Sequence, residues 1–400
     1  MAMQAAYEQT AAAGFTIDAV EGLDVAVFDT LEAVEPIWRE LETRAVLTPY
    51  QTFDWINAYQ ATGFSPEARI RVIVWTDNGR PVALLPLAIG SRFGVRVGQV
   101  IGMEISNGDS LVFDPAYAEK MTPRAIRAAL KVLGKTGAGV DIVNFHCLFA
   151  HEPDQPNPLL AFPHAPAPDH FYWCAFEEAE GSYIDKVLPH KRRTNIRRSM
   201  RRLQEGFGEL QLRHATSEEE IAALHDVFVA QRGKRFKQMG VENIFARPQF
   251  ATLFKTAART GIERGTPVLR YHALYAGETV VATSIGVYSG KHYSQYINST
   301  TDGQAAKYTL MGVTLSLLVD ELRAEGITTF DMGLGDFEYK TEWTSRYTVY
   351  DSVVPVSLCG QMAAPMLRAA RQAKRTIKQT PALWNLARKV LALKARRVDG

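Results

Sequence analysis

Cysteine is scarce in this chain of 400 residues: Cys147, Cys174 and Cys359 are the only three, and they lie far apart. Such spacing fits neither a disulfide framework nor a zinc knuckle, and the thiols are expected to be reduced and mostly buried. No histidine pair stands at metal-ligand spacing and no serine or cysteine lies in a nucleophile motif, so neither a metal nor an acyl-enzyme is expected. Long apolar runs are missing too, since no stretch reaches the roughly 18 residues of a membrane span. The opening Met-Ala-Met-Gln-Ala-Ala-Tyr-Glu lacks the basic start and apolar run of a secretory signal. The expected location is the cytoplasm. An excess of one charge is also absent, because 45 basic and 43 acidic residues leave a net charge of +2. That balance argues against nucleic acid as the main partner. The basic residues are nonetheless unevenly placed, with none before Arg39 and ten in the last forty residues against the single acid Asp399.

What is present is ordinary globular material, 46% hydrophobic and 22% charged, in a chain longer than one compact core usually covers. Two domains are expected. Leu23 to Phe28 alternates as a strand, Leu31 to Thr43 has helical spacing, and a second helix comes next from Thr52 to Thr62. A hairpin of Ile70–Trp75 and Pro81–Ile89 turns at Asp77-Asn-Gly-Arg80, and a strand near Gly98–Met103, a helix over 122–133 and a strand over 141–146 complete the set. The same order returns later: a strand at 209–213, helices at 217–239 and 247–260, a hairpin of 268–275 and 279–288, a strand at 291–298, a helix at 304–325 and a strand at 328–332. Asp77-Asn-Gly-Arg-Pro-Val-Ala and Tyr275-Ala-Gly-Glu-Thr-Val-Val-Ala are matching hairpins, and the repetition implies a duplicated α/β unit. The expected fold is therefore α/β (α+β), with two tandem units, each a mixed sheet flanked by helices. The expected boundaries are 20–180, 181–360 and a basic helical tail at 361–400. Six prolines between Glu152 and Asp169 break helix and strand patterns, which predicts a connecting loop there.

Chemistry-bearing residues concentrate in the second half. Phe330-Asp-Met-Gly-Leu-Gly-Asp-Phe-Glu-Tyr-Lys340 is a strand running into a loop that carries Asp331, Asp336, Glu338, Tyr339 and Lys340. Acyl transfer from a thioester needs a base for the incoming nucleophile and donors for the oxyanion and leaving thiolate. Asp336 or Glu338 suits the base, Tyr339 a hydroxyl donor and Lys340 an electrostatic anchor. A tight turn at Gly333 and Gly335, with the acids capping the next helix, accounts for the same residues equally well. Asp302-Gly-Gln-Ala-Ala-Lys307 opens a long helix, where Gly303, Gln304, Ala306 and Lys307 suit a pyrophosphate at a helix N-terminus, although capping alone explains the glycine.

Three further segments carry charge. His190–Leu203 places Arg197, Arg198, Arg201 and Arg202 opposite Ile196, Met200 and Leu203, a basic face for phosphates or a solvated surface. Gln231-Arg-Gly-Lys-Arg-Phe-Lys-Gln-Met-Gly240 is a basic helix end that either folds over a ligand or faces solvent. In the tail, Met366, Ala370, Ala373 and Ile377 oppose Arg368, Arg371, Lys374, Arg375 and Lys378, and Leu383, Leu386, Val390 and Leu393 come after Pro381. Packing of the apolar stripe on the protein is expected, with contact to anionic lipid at the inner membrane as the alternative. In the first half Ser106-Asn-Gly-Asp109 has the composition of a turn.

These residues resemble a known family. Tyr183, Arg193-Thr-Asn-Ile-Arg-Arg198, the Gly277-Glu278 hairpin, Asp331-Met-Gly-Leu-Gly-Asp336, Tyr339-Lys340 and Trp343 are similar to the GNAT-type acetyltransferases associated with bacterial cellulose and exopolysaccharide biosynthesis. The first half matches more loosely, through Thr48–Trp55 and the strand pair after Arg71. That family is similar to the Fem-type aminoacyltransferases, which carry two GNAT-like halves. The resemblance implies an acyltransferase whose donor, acetyl-CoA or another acyl-CoA, is held on the second half by Gly303, Gln304, Ala306, Lys307, Arg197 and Arg198. It also implies a small-molecule or glycan-linked acceptor bound between the halves. Peripheral contact with the inner membrane or with a polysaccharide-synthesis complex is the implied partnership; the alternatives are a Fem-like transferase with aminoacyl-tRNA as donor and a non-catalytic scaffold for polysaccharide synthesis. Asp302-Gly-Gln-Ala-Ala306 departs from the family's Gly-rich phosphate loop.

Overall fold

The computed structural model describes residues 15–136, 139–149, 157–177, 181–239 and 242–384. It divides into two compact units: Met1–Asp169 with Thr348–Gln379, and His170–Tyr347 with Thr380–Gly400. Strand residues 171–175 therefore fall with unit 2, and strand residues 350–355 with unit 1.

Unit 1 contains β1 (Phe15–Val20), β2 (Leu23–Phe28), α1 (Leu31–Glu42), α2 (Phe53–Gln60), β3 (Arg69–Asp77), β4 (Arg80–Arg92), β5 (Val95–Val100), β6 (Val112–Phe113), α3 (Pro123–Val132) and β7 (Ile142–Leu148). Its sheet runs β1-β2-β3-β4-β5-β7, with β6 on β4 and only β5–β7 parallel among these pairs. Thr30 caps α1 by accepting from Ala33 N–H, and Leu31, Val34, Trp38 and Leu41 bury the face that their spacing predicts.

Between the units comes β8 (His164–Ala175), and unit 2 continues with α4 (Ile184–Val187), α5 (His190–Phe207), β9 (Leu210–His214), α6 (Glu218–Met239), α7 (Pro248–Arg264), β10 (Leu269–Ala276), β11 (Thr279–Ser289), β12 (His292–Thr300), α8 (Leu310–Ala324) and β13 (Thr329–Leu334). After these come β14 (Ser345–Pro355) and α9 (Leu358–Gln379). The sheet of unit 2 runs β8-β13-β12-β11-β10-β9, and β12–β13 is its parallel pair. Each sheet is thus a run of antiparallel strands (five in unit 1, four in unit 2), one parallel strand reached through a helix, and a final antiparallel strand. That final strand is exchanged: residues 171–175 of β8 pair with β13, and residues 350–355 of β14 pair with β7.

The duplication extends to a local irregularity. In the first hairpin Thr76 faces Pro81 and Trp75 faces Ala83, leaving Val82 as the extra residue; in the second Tyr275 faces Val280 and Leu274 faces Ala282, leaving Val281. Both hairpins therefore bulge at the third residue of the return strand.

Three expectations need correction. The expected loop over 152–169 contains the start of β8, whose Pro166 and Pro168 precede the residues that form ladder bonds with β13. The helix expected from Gln304 is a short 3-10 turn, Gln304–Lys307, and α8 starts only at Leu310. Tyr308 adopts an extended backbone, its ring lies edge-on to Phe207, and Thr309 is held by Asn195 and Ser199 of α5. The tail helix α9 is turned the other way from the expectation. Met362, Met366 and Ile377 are exposed, whereas Ala364 and Leu367 pack on unit 1. Arg368 donates to the Val353 carbonyl, Arg371 to Phe145, Arg375 to Ala167, and Lys378 to Asp169. Strand carbonyls and two carboxylates of unit 1 accept from these donors, which the long basic side chains carry to them. Leu386, Val390 and Leu393 lie outside the described residues. No helix among the described residues is long and apolar enough to cross a membrane.

Candidate functional site

The site is built by two parallel strands, β12 and β13, and the turn after each. The β12–β13 ladder holds for three rungs, His292–Thr329, Tyr293–Phe330 and Ser294–Asp331, and then ends although both strands continue. On its other side β12 bulges at Tyr296, which has no partner position between Gln295 opposite Gly286 and Ile297 opposite Ile285. Both strands point their C-terminal ends the same way, so the turns after Thr300 and Leu334 meet the same end of the sheet. Alternate backbone groups of β12 that a longer parallel ladder would use face this opening.

Asp331 anchors the closed end. It is fully buried, and its carboxylate receives Ser294 Oγ at 2.7 Å and Gly333 N–H at 2.8 Å while His292 Nε2 lies 2.7 Å away. Each oxygen is occupied, which suits a support for the turn better than a proton acceptor.

Beyond the bulge the loop residues separate into two groups. Asp336 is exposed on the β8 side of β13, where Tyr172 OH donates to it at 2.9 Å and His170 Nδ1 lies 2.9 Å from the same oxygen. Burial and the nearby Asp336 raise the Tyr172 phenol to about 12. Lys340 is buried, donates to the Leu334 carbonyl at 2.7 Å and lies over the rings of Tyr172 and Phe337. It therefore braces the end of β13 among aromatic faces. Glu338 is exposed at the start of the 3-10 turn Glu338–Glu342.

Tyr339 is turned the other way, toward β12. Burial raises its phenol above the ordinary value, while the Asn298 side chain and the charges of Arg232 and Arg235 work against that shift. Arg232 projects from α6, donates to the Asn298 carbonyl at 3.3 Å and lies over the Phe236 ring, while its Nε is buried with no hydrogen-bond partner. Among the described residues no carboxylate pairs with Arg232, and its charged form is disfavoured by burial and by Arg235. A guanidinium stays protonated nonetheless. His170, Tyr172, Asn298 and Arg232 were not singled out individually from the sequence. Only Arg232 left a signal, as part of the basic helix end at 231–240.

The turn after β12 forms a polar groove of about 650 Å³ with α5, lined by Asn195, Arg198, Ser199, Arg202, Lys307 and Thr309 among others. Arg198 and Lys307 are thus brought together at the start of α8. Arg197 is not, being paired instead with Asp185 at 2.6 Å. Gly303, Gln304 and Ala306 are exposed on the 3-10 turn that precedes the helix, and Lys234 ties that turn to α6 through Asp302 at 2.9 Å.

Residues 190–341, which include this splayed pair and both turns, match the family model described as "Acetyltransferase (GNAT) domain". Unit 2 has the GNAT-type acyltransferase fold. Among solved structures, FemX superposes with a TM-score of 0.57 at 10% identity, covering 84% of this chain and 98% of its own. That chain matches across both units, and the identity establishes likeness of fold alone. L-PGS from Bacillus licheniformis gives a TM-score of 0.48 at 14% identity, with 82% and 94% of the two chains covered. A tandem GNAT protein from the clavulanic acid biosynthesis pathway gives 0.41 at 12%, with 84% and 99% covered. No curated protein matches the sequence. In this GNAT-like unit the strand splay, the Tyr339 hydroxyl and the basic groove at the start of α8 all lie on elements inside the matched segment.

Proposed function

We propose that unit 2 transfers an acyl group from acyl-CoA to an amine or hydroxyl of an acceptor that carries a negative charge. The observation that carries this reading is the end of the β12–β13 ladder at Ser294 and Asp331, with Tyr339 at the opening and the basic groove beside the next turn. A thioester arm entering the opening sets its carbonyl against the β12 edge, and the donor's phosphates fall to Arg198, Arg202, Lys307 and the first turn of α8. The acceptor nitrogen or oxygen attacks the thioester carbon, and its proton passes to a carboxylate, for which Asp336 with His170 is the candidate. Collapse of the tetrahedral intermediate breaks the C–S bond, and the thiolate takes a proton from Tyr339. Holding donor and acceptor together supplies much of the acceleration without a covalent enzyme intermediate.

A half-buried arginine with no acidic neighbour is expensive unless an anion visits it, so Arg232 and Arg235 support a carboxylate or phosphate on the acceptor. A sugar or polysaccharide-linked acceptor, and a place beside cellulose or exopolysaccharide synthesis, rest on the resemblance of the sequence.

Calorimetric titration with acetyl-CoA, CoA and an aminoacyl-tRNA tests the donor. Micromolar binding of acetyl-CoA that weakens in Arg198→Ala and Lys307→Ala is expected. No binding of either CoA compound at millimolar concentration, with binding of charged tRNA, would replace this reading by the Fem-like one.

A further inference from the structure

Among the described residues, two clusters of metal-ligating side chains lie outside the proposed transfer site. In unit 1 His146, Cys147 and Asp351 bring one ligand atom each within 4.8 Å of one another. Arg371 Nη1 already donates to Asp351 Oδ2 at 2.7 Å, so a guanidinium supplies the positive charge there. The cluster in unit 2 has no such occupant. His214 on β9 and His272 on β10 face each other directly across the antiparallel ladder, with ring centroids 5.8 Å apart. Glu321 approaches from α8, its Oε1 3.6 Å from His214 Nδ1 and 3.8 Å from His272 Nε2.

Those separations are longer than a good hydrogen bond, and the Tyr288 hydroxyl lies 3.5 Å from the same His272 Nε2, a long contact that an ion would displace. Metal–ligand bonds of 2.0–2.2 Å give a tetrahedral edge of about 3.4 Å, close to the 3.6 and 3.8 Å that separate Glu321 from the two imidazoles. Protonation states also suit one. His272 is fully buried, and burial drives its imidazole down to about 3, which leaves the ring neutral with a lone pair near neutral pH. Arg270, the nearest fixed cation, is paired with Glu325 at 2.7 Å and lies over the Tyr288 ring. A pocket of about 260 Å³ lined by His214, Thr216, Arg270 and Tyr271 opens beside His214, the partly exposed member of the cluster.

We propose that His214, His272 and Glu321 bind a divalent transition-metal ion, with zinc the best match for two imidazoles and one carboxylate. The ion ties strands β9 and β10 to α8. Glu321 stands eleven residues after Leu310, which places the metal about 16 Å along the helix from the basic groove. Its role is structural, stabilising the outer part of the unit 2 sheet.

The full-length protein, stripped with chelator and dialysed, should take up one equivalent of Co(II) with the visible bands of a tetrahedral site. Zn(II) should then raise its melting temperature. His214→Ala, a partly exposed change that leaves the core intact, and Glu321→Gln should each lose both the bands and the zinc-induced shift while retaining a wild-type circular dichroism spectrum. Absence of cobalt bands in the wild type, or equal metal responses in wild type and both variants, would overturn the proposal. Because the readouts are metal spectra and melting, their outcome is independent of whether acyl-CoA is the donor.

Discussion

The Tyr172 hydroxyl donates to Asp336 at 2.9 Å, so the carboxylate at the end of β13 is held by a side chain from β8, a strand that precedes it by more than 150 residues in the chain. If Asp336 accepts the acceptor's proton, Asp336→Asn should lower kcat by roughly 10²–10⁴-fold and leave the donor dissociation constant unchanged. Tyr172→Phe should shift the pH–rate profile with a smaller loss. Steady-state kinetics over a pH series measures both, and an Asp336→Asn enzyme with full turnover removes it from the base role.

Asp331 should behave differently. Its carboxylate is buried and fully hydrogen-bonded, so Asp331→Asn should destabilise unit 2 by about 1–3 kcal/mol. Turnover per folded molecule should remain. Urea denaturation combined with active-site titration separates the two effects.

Arg371 lies on what looks in sequence like the solvated face of a tail helix, yet it closes a buried pair with Asp351 at 2.7 Å. Arg371→Met should cost about 3–5 kcal/mol, because it strands a buried carboxylate. Arg375→Met, which loses only the bond to the Ala167 carbonyl, should cost about 1 kcal/mol. Chemical denaturation of unit 1 checks the order, and equal costs would contradict the packing of α9.

Asp109 supplies a pH signature. Burial raises its carboxyl to about 8, well above the value near 3.9 of an unfolded aspartate, while the His146 backbone N–H and Arg371 work against the shift. The folded state therefore holds a proton that the unfolded state has released, and this contribution to stability falls as pH rises from about 4 to 8. His146, lowered to about 3 by burial first and then by Arg371 and Lys374, acts in the opposite sense but only below pH 6.5. Between pH 6.5 and 8 the wild type should lose up to ~1.4 kcal/mol per pH unit relative to Asp109→Asn. Parallel denaturation curves for the two proteins across that window would refute it.

Periodicity and turn chemistry carried most of the fold. The two hairpins were legible because Asn78-Gly79 and Gly277-Glu278 sit between alternating apolar runs, and the matching bulges at Val82 and Val281 confirm that the likeness is structural. The exchange of β8 and β14 was not legible, because strand pairing across distant segments leaves no local pattern and the prolines of 152–169 conceal a strand start. In α9 the spacing revealed two faces but not which one the protein needs, since that depends on the carbonyls and carboxylates it meets. At the site, the loop 331–340 was visible as a cluster, while its division into a buried anchor, a braced lysine, an exposed carboxylate and a hydroxyl at the β12 edge comes from the bulge and splay. His214, His272 and Glu321 are separated by 58 and 49 residues in sequence, so no spacing rule could have joined them.

The exchanged strands also set an order of completion during synthesis. Every strand of unit 2 has left the ribosome before β14 appears, so the unit begun first is finished last, and β7 waits with an open edge while its neighbour folds. A chain that stops near residue 347 would release the unit 2 strands joined to a unit 1 sheet that lacks its last strand, and aggregation through β7 is the failure such a fragment invites.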